Sequence, residues 1–399
     1  MKADVQISMR SAIRNFALVF ISLVVGMTIL EIVLRLFVPL PSPYDFPIRT
    51  IAFDERGFWV FEPDRKFTMD NRVDFRGVPV TIGPDGTRLV SCRDAASAAS
   101  GPRIFILGDS QSFGHGLSDS DSWASRLQCL LRQAGRAVSV HNLGIPGINT
   151  DQYFMRLSQI ERDLGAGDIV AIVLTWNDLV TGQGWFPDDI ETRRCRDGEG
   201  DGVRGSWPLC LQQPLQYLNK EETWRLRFYR RTGLLIPSFN SLKNFADSAA
   251  IATAIGHVAM PRLKLLWYRL RGGRAFFDKL PAGAFEDNFR IVARMRDRVA
   301  ARGAGTLVVV LPNRIFSDDF YYAAYSKAGS VFPARDYPFF RAKPLCRQHR
   351  LDCFSLFDAL KTDRRDRYSF AFDGHLNPAG ARAVAEALAN RLKPLIPAP

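Results

Sequence analysis

The sequence predicts an α/β protein in which a mostly parallel β-sheet is covered by helices. From Arg103 onward, apolar runs of strand-forming residues alternate with amphipathic segments of helical periodicity. Three of the apolar runs stop abruptly at turns that contain Gly, Asn or Asp, as strands do at the edge of a sheet. The composition, with 47% hydrophobic, 12% aromatic and 24% charged residues, is that of a folded protein.

These patterns predict four strands and four helices. The predicted strands cover residues 103–108, 137–142, 168–175 and 305–311. The predicted helices cover residues 121–134, 150–164, 283–302 and 378–392. The last of these begins at Asn377-Pro378, a typical helix start, and is apolar at Ala381, Val384, Leu388 and Leu392. The main domain is expected over residues 101–393.

An apolar stretch near the N-terminus predicts a membrane anchor. Residues 1–15 carry three basic side chains and one acidic one, and residues 16–38 are apolar except for Glu31 and Arg35. This length is close to the roughly 20 residues that cross a bilayer as a helix. A cleaved signal peptide is the alternative, but no small-x-small cleavage site follows. The basic flank predicts a cytoplasmic N-terminus and an outward-facing main domain.

Six cysteines, at positions 92, 129, 195, 210, 346 and 353, fit an oxidising compartment. None has the Cys-x-x-Cys spacing of a metal or redox site. The close spacings suggest the pairs Cys195–Cys210 and Cys346–Cys353, which leaves Cys92 with Cys129. Six buried free thiols are the alternative.

Two further regions flank or interrupt the predicted α/β domain. Residues 41–100 alternate aromatic and Val residues with polar ones, which indicates a small β-rich region next to the anchor. Residues 180–280 form a large insertion, and its part from 223 to 274 holds ten Lys or Arg and one acid. This segment is either a solvated basic lid or a surface for anionic lipid head groups or an acidic polysaccharide.

The net charge of +12 and a pI near 9.6 favour an acidic partner. A nucleic acid is not expected, because the sequence has no zinc finger, RNP sequence or GXXG loop.

Four short stretches lie where strands end or where the last helix begins. The first strand runs into Gly108-Asp109-Ser110, the second into a turn with Gly144, the third into Asn177, and Asp373 and His375 precede the last helix. The carboxyl ends of strands in open α/β sheets are where ligands bind. Taken alone, each of these stretches is a common turn or loop, but the four stretches together predict a functional site.

The residue types in these stretches suit acyl transfer. Ser110 at a helix N-terminus can be a nucleophile, and His375 can take its proton while Asp373 orients the imidazole. The Gly144 N–H and the Asn177 amide are neutral donors for a developing oxyanion.

Three other polar residues lie close to these in sequence. Asp109 and Asp178 are expected to stabilise turns, and His115 is expected to have a substrate-side or structural role rather than to be the base.

Together these blocks resemble the SGNH (GDSL-type) hydrolases over about residues 101–393. The resemblance implies a flavodoxin-like three-layer α/β/α sandwich. It also implies Ser110 as nucleophile, His375 as base, and an oxyanion hole formed by the Ser110 and Gly144 N–H groups with the Asn177 side chain.

The sequence departs from this family pattern at one position. Many members place the supporting Asp three residues before the His, where this chain has Phe372. Asp373 is two residues before, which is similar to the alginate O-acetylation branch. The predicted anchor is also similar to that of bacterial envelope members linked to exopolysaccharide O-acetyl groups, which implies a single-pass inner-membrane protein with a periplasmic domain.

We therefore expect a serine esterase that acts outside the cytoplasm on an acyl ester, with an acetylated carbohydrate as the preferred substrate class. No metal or organic cofactor is implied. An O-acetyltransferase would use the same residues and would need a separate acyl-donor membrane protein. A non-catalytic glycan-binding envelope component is the third alternative.

Overall fold

The computed structural model describes residues 2–37, 51–53, 59–71, 73–92, 101–180, 203–204, 207–208, 283–327, 334–371 and 373–397. The chain divides into two compact units, Met1–Pro43 with Pro237–Trp267, and Tyr44–Ile236 with Tyr268–Pro399. The described residues of the first unit form one helix, α1 (Lys2–Phe37). Among the described residues, no helix meets the length and hydropathy that a bilayer crossing requires. The span over residues 16–38 stays a prediction from the sequence.

The second unit contains the strands and the remaining helices. Its described strands are β1 (Ile51–Phe53), β2 (Trp59–Phe61), β3 (Lys66–Met69), β4 (Val78–Thr81), β5 (Arg103–Leu107), β6 (Ser139–Asn142), β7 (Ile169–Leu174), β8 (Val203–Arg204), β9 (Trp207–Pro208), β10 (Gly305–Val310) and β11 (Cys353–Ser355). Its described helices are α2 (Ser110–Phe113), α3 (Trp123–Gln133), α4 (Thr150–Ile160), α5 (Trp176–Val180), α6 (Ala284–Ala300), α7 (Arg314–Ser317), α8 (Asp319–Lys327), α9 (Tyr337–Gln348), α10 (Phe357–Leu360) and α11 (Pro378–Leu392), with short 3₁₀ turns at Glu161–Asp163 and Lys393–Leu395.

Five strands form the central sheet in the order β11-β10-β7-β5-β6, and all their pairings are parallel. The chain passes from β5 to β6 on one side and then crosses to β7 on the other side of β5. The direction of winding therefore reverses beside β5. In doubly wound folds of this strand order, ligands bind at this switch point, outside the carboxyl ends of the strands.

The sheet is apolar on both faces, as parallel sheets are. Alternate residues of β5, β7 and β10 point to opposite sides, which produces two separate cores. Helices α4, α6 and α9 cover one core, and α3, α10 and α11 cover the other. The arrangement is a three-layer α/β/α sandwich. The remaining strands pair antiparallel as β1-β2, β3-β4 and β8-β9.

The predicted parallel sheet with flanking helices is confirmed. Strands lie within all four predicted strand ranges, and helices α3, α4, α6 and α11 match the four predicted helices. Within the region from 41 to 100, strands β2 and β4 lie where aromatic and Val residues alternate with polar ones.

The sequence patterns did not reveal β11, α8 or α9. Strand β11 has only three residues, all half-buried, so it carries no alternation to detect. Helix α9 begins with Tyr337-Pro338 and contains Pro344. Proline is tolerated in the first turn of a helix but removes a hydrogen bond from its interior. A segment with an interior proline is therefore not predicted to be helical.

Two of the three suggested disulfides are formed, Cys92–Cys129 and Cys346–Cys353. The suggested pair Cys195–Cys210 lies outside the described residues, as do the basic segment 223–274 and almost all of the insertion. These two disulfides contradict the alternative in which all six cysteines are buried free thiols.

Candidate active site

Ser110 lies in a tight turn between β5 and α2. Asp109 caps the helix by accepting the Gln111 N–H at 2.9 Å, so Ser110 is the first helical residue. Its N–H is therefore among those without an acceptor inside the helix. The turn requires glycine at position 108, because a Cβ there would lie 2.0 Å from Ser112 Oγ.

A hydrogen-bonded chain joins Ser110 to His375 and Asp373. The Nε2 atom of His375 is 2.7 Å from Ser110 Oγ, and its Nδ1 is 2.5 Å from Asp373 Oδ1. The side chains of His375 and Asp373 are 23% and 13% exposed, so the chain is largely shielded from water on the acid side. The structure thus brings together a hydroxyl, an imidazole and a carboxylate from positions 265 residues apart.

The Asp373 carboxylate is held in its charged form. Burial raises its pKa, but the hydrogen bond and charge of His375, with a contribution from His115, outweigh burial and lower the pKa below its usual value. A charged Asp373 stabilises an imidazolium at His375, as a serine nucleophile requires when it gives up its proton.

The loop that carries the base is closed by its own backbone. Phe370 and His375 are joined by a hydrogen bond from the Phe370 N–H to the His375 carbonyl at 2.8 Å, and the Gly374 N–H returns to the Phe370 carbonyl at 3.1 Å. Arg314, which follows β10, donates from Nη1 to the carbonyls of Phe370 and Ala371, both at 2.9 Å.

Two side chains connect this loop to other parts of the unit. Gln111, next to the nucleophile, accepts the Leu376 N–H at 3.1 Å through Oε1. Asp74, from the strand-rich segment, accepts the Asp373 N–H at 2.8 Å through Oδ2. The base is therefore positioned both by the nucleophile helix and by a segment far away in sequence.

Gly144 lies against the nucleophile turn. A Cβ at this position would be 2.5 Å from the Phe113 nitrogen and 2.9 Å from the Ser112 carbonyl carbon, so no other residue fits without a backbone shift. The Gly144 N–H donates to Asn142 Oδ1 at 3.0 Å. The predicted oxyanion donor is thus beside Ser110 but already has an acceptor inside the protein.

Asn177 follows β7 and reaches the same turn. Its Nδ2 donates to Asp109 Oδ2 at 3.1 Å, and its Oδ1 lies 2.6 Å from Thr175 Oγ1. The structure therefore joins Ser110, His375 and Asp373 in one hydrogen-bonded chain and places Gly144 and Asn177 against the turn and short helix that carry Ser110. The chemistry that this arrangement allows is acyl transfer through a serine nucleophile.

Comparisons with known proteins match parts of the chain. Residues 276–398 match the model of the "SGNH hydrolase-like domain, acetyltransferase AlgX". A Vibrio mimicus arylesterase is 38% identical over 104 residues, which are 26% of this chain and 50% of that protein. Over residues 276–398 the chain is therefore similar to an SGNH hydrolase-like domain. The matched stretch spans half the length of the arylesterase.

Several solved structures align with the chain at low sequence identity. TesA is 13% identical and aligns over 73% of this chain and 99% of its own, with a TM-score of 0.35. The M. smegmatis aryl esterase is 13% identical over 74% and 99%, with a TM-score of 0.34. Est24, a carbohydrate acetylesterase from Sinorhizobium meliloti, is 11% identical over 74% and 99%, with a TM-score of 0.33. At these TM-scores the likenesses do not bear on activity.

The acidic residue Asp373 lies two positions before His375. The position three before the histidine is Phe372, which lies outside the described residues. Gly374 separates Asp373 from His375 with a φ of +88°, a conformation that favours glycine. This sharp turn brings the Asp373 carboxylate back onto Nδ1 of the neighbouring imidazole.

A buried polar cluster lies behind the nucleophile turn. Thr175 Oγ1 is 2.9 Å from an oxygen of both Asp109 and Asp178, and Tyr153 donates to Asp178 at 2.9 Å. Burial and then the negative charge of Asp109 raise the pKa of Asp178 well above its usual range. Asp178 also accepts the Thr175 N–H at 2.7 Å, as expected for a turn-stabilising residue.

Arg88 is a residue that the sequence reasoning missed. Its fully buried guanidinium donates to the carbonyls of Phe113, Gly114 and Leu117 at 2.5–2.6 Å, just after the nucleophile helix. Burial lowers the pKa of Arg88 to about 10, against the opposing effect of Asp119. The turn Gly86-Thr87-Arg88 carries no motif that would indicate this role.

The one described group that could hold a metal ion overlaps the candidate triad. One ligand atom each of His115, Asp373 and His375 lies within 4.8 Å of the others. Histidine and carboxylate ligands suit zinc. These atoms already pair with one another, so a bound metal would compete with the hydrogen bonds that orient His375.

Proposed function

We propose that the protein is a serine esterase that forms an acyl-enzyme on Ser110 and acts outside the cytoplasm on an acetylated carbohydrate. The observation that carries the catalytic part is the chain Ser110–His375–Asp373, with atom separations of 2.7 and 2.5 Å. A nucleophile and a base within hydrogen-bond reach, with the base oriented by a third group, are the signature of nucleophilic catalysis.

In the first half of this reaction, Ser110 Oγ attacks the ester carbonyl while His375 Nε2 takes its proton. The imidazolium that forms is stabilised by Asp373. The tetrahedral intermediate collapses when the carbon–oxygen bond to the alcohol breaks, and His375 returns the proton to the leaving alkoxide. In the second half, His375 takes a proton from water as the water attacks the acyl-enzyme. The bond between the acyl carbon and Ser110 Oγ then breaks, the acid leaves, and His375 returns the proton to Oγ.

The negative charge on the tetrahedral intermediate needs donors that are already in place. The Ser110 N–H at the start of α2 is the first candidate, with favourable polarity from the helix end. The Gly144 N–H would share its proton between Asn142 Oδ1 and the oxyanion, and Asn177 would contribute an amide proton. These assignments are consistent with the packing of Gly144 and Asn177 around the turn.

A location outside the cytoplasm is supported by two disulfides, since such bonds persist in oxidising compartments. Attachment to the bacterial inner membrane through residues 16–38 rests on the sequence, and α1 has exposed apolar side chains from Phe16 to Val33. The carbohydrate substrate class rests on the resemblance to envelope O-acetylation proteins.

A fractionation test compares wild-type membranes before and after carbonate washing, and release of the protein by the wash argues against the anchor.

O-acetyltransferase activity is the second candidate. The observation that favours it is the match of residues 276–398 to a domain described as an acetyltransferase. The same acyl-enzyme would be resolved by a sugar hydroxyl in place of water. An acyl donor on the membrane would then be a required partner.

The deciding experiment uses the full chain purified in detergent. Acetate release from an aryl acetate is measured for wild type, Ser110→Ala and Ser120→Ala, a control that removes an exposed hydroxyl from the following loop. Activity and fluorophosphonate labelling are expected in wild type and Ser120→Ala and absent in Ser110→Ala.

The outcomes separate the candidate functions. Wild type as inert and unlabelled as Ser110→Ala contradicts an enzyme and leaves the glycan-binding component. With an acetylated donor and an oligosaccharide acceptor, acetate found on the sugar instead of in solution identifies a transferase. Acetate in solution at the same rate with and without the acceptor identifies an esterase.

A further inference from the structure

His115 lies just after the short helix α2, which begins at the nucleophile, although it takes no part in the reaction outlined above. Its N–H donates to the carbonyl of Ser110 at 3.1 Å. The residue is only 6% exposed, so its ring is buried in the unit. Burying a histidine without polar contacts is costly. The buried imidazole of His115, five residues after the nucleophile, is therefore expected to interact with a polar group.

The ring of His115 faces the carboxylate of Asp373. Its Nε2 is 4.0 Å from Asp373 Oδ2, whereas His375 Nδ1 is 2.5 Å from the other oxygen, Oδ1. The centroids of the two imidazole rings are 4.6 Å apart, with their planes inclined at 36°. Asp373 is thus flanked by two imidazoles, one beside each carboxylate oxygen.

Aromatic packing fixes the His115 ring in this place. Phe75 contacts it edge-on at 5.7 Å and 84°, and Phe75 also packs against Phe370 at 5.2 Å. Gly116 leaves room for both phenylalanines, since a Cβ there would lie 2.7 Å from each. The ring has little freedom to turn away from Asp373.

We infer that His115 is a positioning residue that acts through Asp373, an inference that rests on the proposed triad. With a proton on Nε2, the His115 ring directs its N–H dipole at Oδ2 and restrains rotation of the carboxylate. Oδ1 then stays in line with Nδ1 of His375. The electrostatic interaction with His115 is also among the causes that lower the pKa of Asp373.

Two substitutions separate the N–H from the shape of the ring. His115→Phe keeps an aromatic ring against Phe75 and removes the N–H, whereas His115→Gln places an amide N–H near the position of Nε2. We expect His115→Phe to lower kcat for an aryl acetate about 10-fold or more, with KM unchanged, because small misplacements of catalytic groups are costly. His115→Gln is expected to recover most of this loss.

A double-mutant cycle with Asp373→Asn tests whether His115 acts through the carboxylate. If it does, His115→Phe lowers kcat much less in the Asp373→Asn background than in wild type, because the two residues share one interaction. An equal loss in both backgrounds, or a His115→Phe kcat equal to that of wild type, overturns the inference. If His115→Phe does not fold, the cycle is run with His115→Gln and His115→Asn, which differ in reach, and equal kcat values for these two overturn it.

The failure of the proposed function gives a different result. An inactive wild type contradicts the esterase itself, whereas an active wild type with an unaffected His115→Phe contradicts only the role of His115.

Discussion

The backbone N–H of Asp373 donates a hydrogen bond of 2.8 Å to Oδ2 of Asp74, 299 residues earlier in the chain. Asp74 in turn belongs to a small loop organised by Asn71, whose Oδ1 accepts the N–H groups of residues 73, 74 and 75. The loop that carries the candidate acid and base is therefore anchored to the strand-rich segment.

This contact predicts a graded effect of substitutions at Asp74. Asp74→Ala leaves the Asp373 N–H without its acceptor, which costs about 1–3 kcal/mol and loosens the loop. We expect kcat for ester hydrolysis to fall while KM changes little. Asp74→Asn retains an acceptor oxygen and should stay close to wild type, and an Asp74→Ala enzyme with wild-type kcat would contradict the prediction.

Gly144→Ala should impair both stability and activity. The new Cβ would lie 2.5 Å from the Phe113 nitrogen, so the backbone of the nucleophile turn must shift, at a cost of about 1–3 kcal/mol. The matched control is Gly165→Ala, where the nearest atom to a new Cβ is 3.9 Å away. Thermal unfolding and aryl acetate hydrolysis are measured for both, and equal behaviour of the two variants would count against a tight fit.

Arg88→Met should be among the most destabilising single substitutions in the unit. It removes the guanidinium donor from the buried carbonyls of Phe113, Gly114 and Leu117, and of these the Gly114 carbonyl keeps the Leu117 N–H at 3.1 Å. We expect a loss of about 3–5 kcal/mol. The control is Arg65→Met, which removes an exposed ion pair with Glu62 and should have little effect. Urea unfolding of both variants measures the difference.

Asp178→Asn should stabilise the protein more at high pH than at low pH. The raised pKa of Asp178 means that, as the pH rises above the unfolded pKa, the folded state retains a proton that the unfolded state releases. The free energy of unfolding of wild type therefore falls as the pH rises above about 4, the unfolded pKa of Asp.

Asparagine carries no charge, so the substitution removes this dependence. The Tm difference between Asp178→Asn and wild type should grow from pH 4 to pH 8. Asp297→Asn is the control because its side chain is 66% exposed. If this Tm difference shrinks as the pH rises, the folded protein holds the charged Asp178 carboxylate at little cost in stability, and the prediction is wrong.

The two disulfides should contribute unequally to stability. Cys92–Cys129 closes a loop of 37 residues and Cys346–Cys353 one of 7. The chain-entropy model gives about 4 kcal/mol for the longer loop and about 2 kcal/mol for the shorter one. Replacing each pair by serines and measuring urea unfolding tests this order, and a larger loss for the shorter loop would reverse it.

The core of the fold could be predicted from the sequence because its signals are local. Strands β5 and β7 are uninterrupted apolar runs, and the turns at Ser110 and Asn177 follow them directly. Because parallel strands end at one edge of the sheet, their turns meet there whatever the details of packing. His375 could be placed with them because it precedes a well-marked helix.

The supports of the site could not be predicted in the same way. Arg88 and Asp74 act through contacts across 25 to 299 residues, and neither lies in a repeating pattern. The acceptor of the Gly144 N–H is the Asn142 side chain, which the sequence presents only as the last residue of a strand. Such contacts depend on the tertiary structure, which local periodicity does not encode.

The positions of Asp74, Phe75 and Arg88 set a lower limit on the length of a fragment that keeps the candidate active site intact. A fragment that begins at Arg103 would contain the complete parallel sheet, the nucleophile and the base. It would lack the acceptor for the Asp373 N–H, the aromatic ring against His115 and the guanidinium beneath the nucleophile turn. Any truncation designed for crystallography or protein engineering therefore needs to retain the chain from β3 onward, even though none of those upstream residues reaches the reacting atoms.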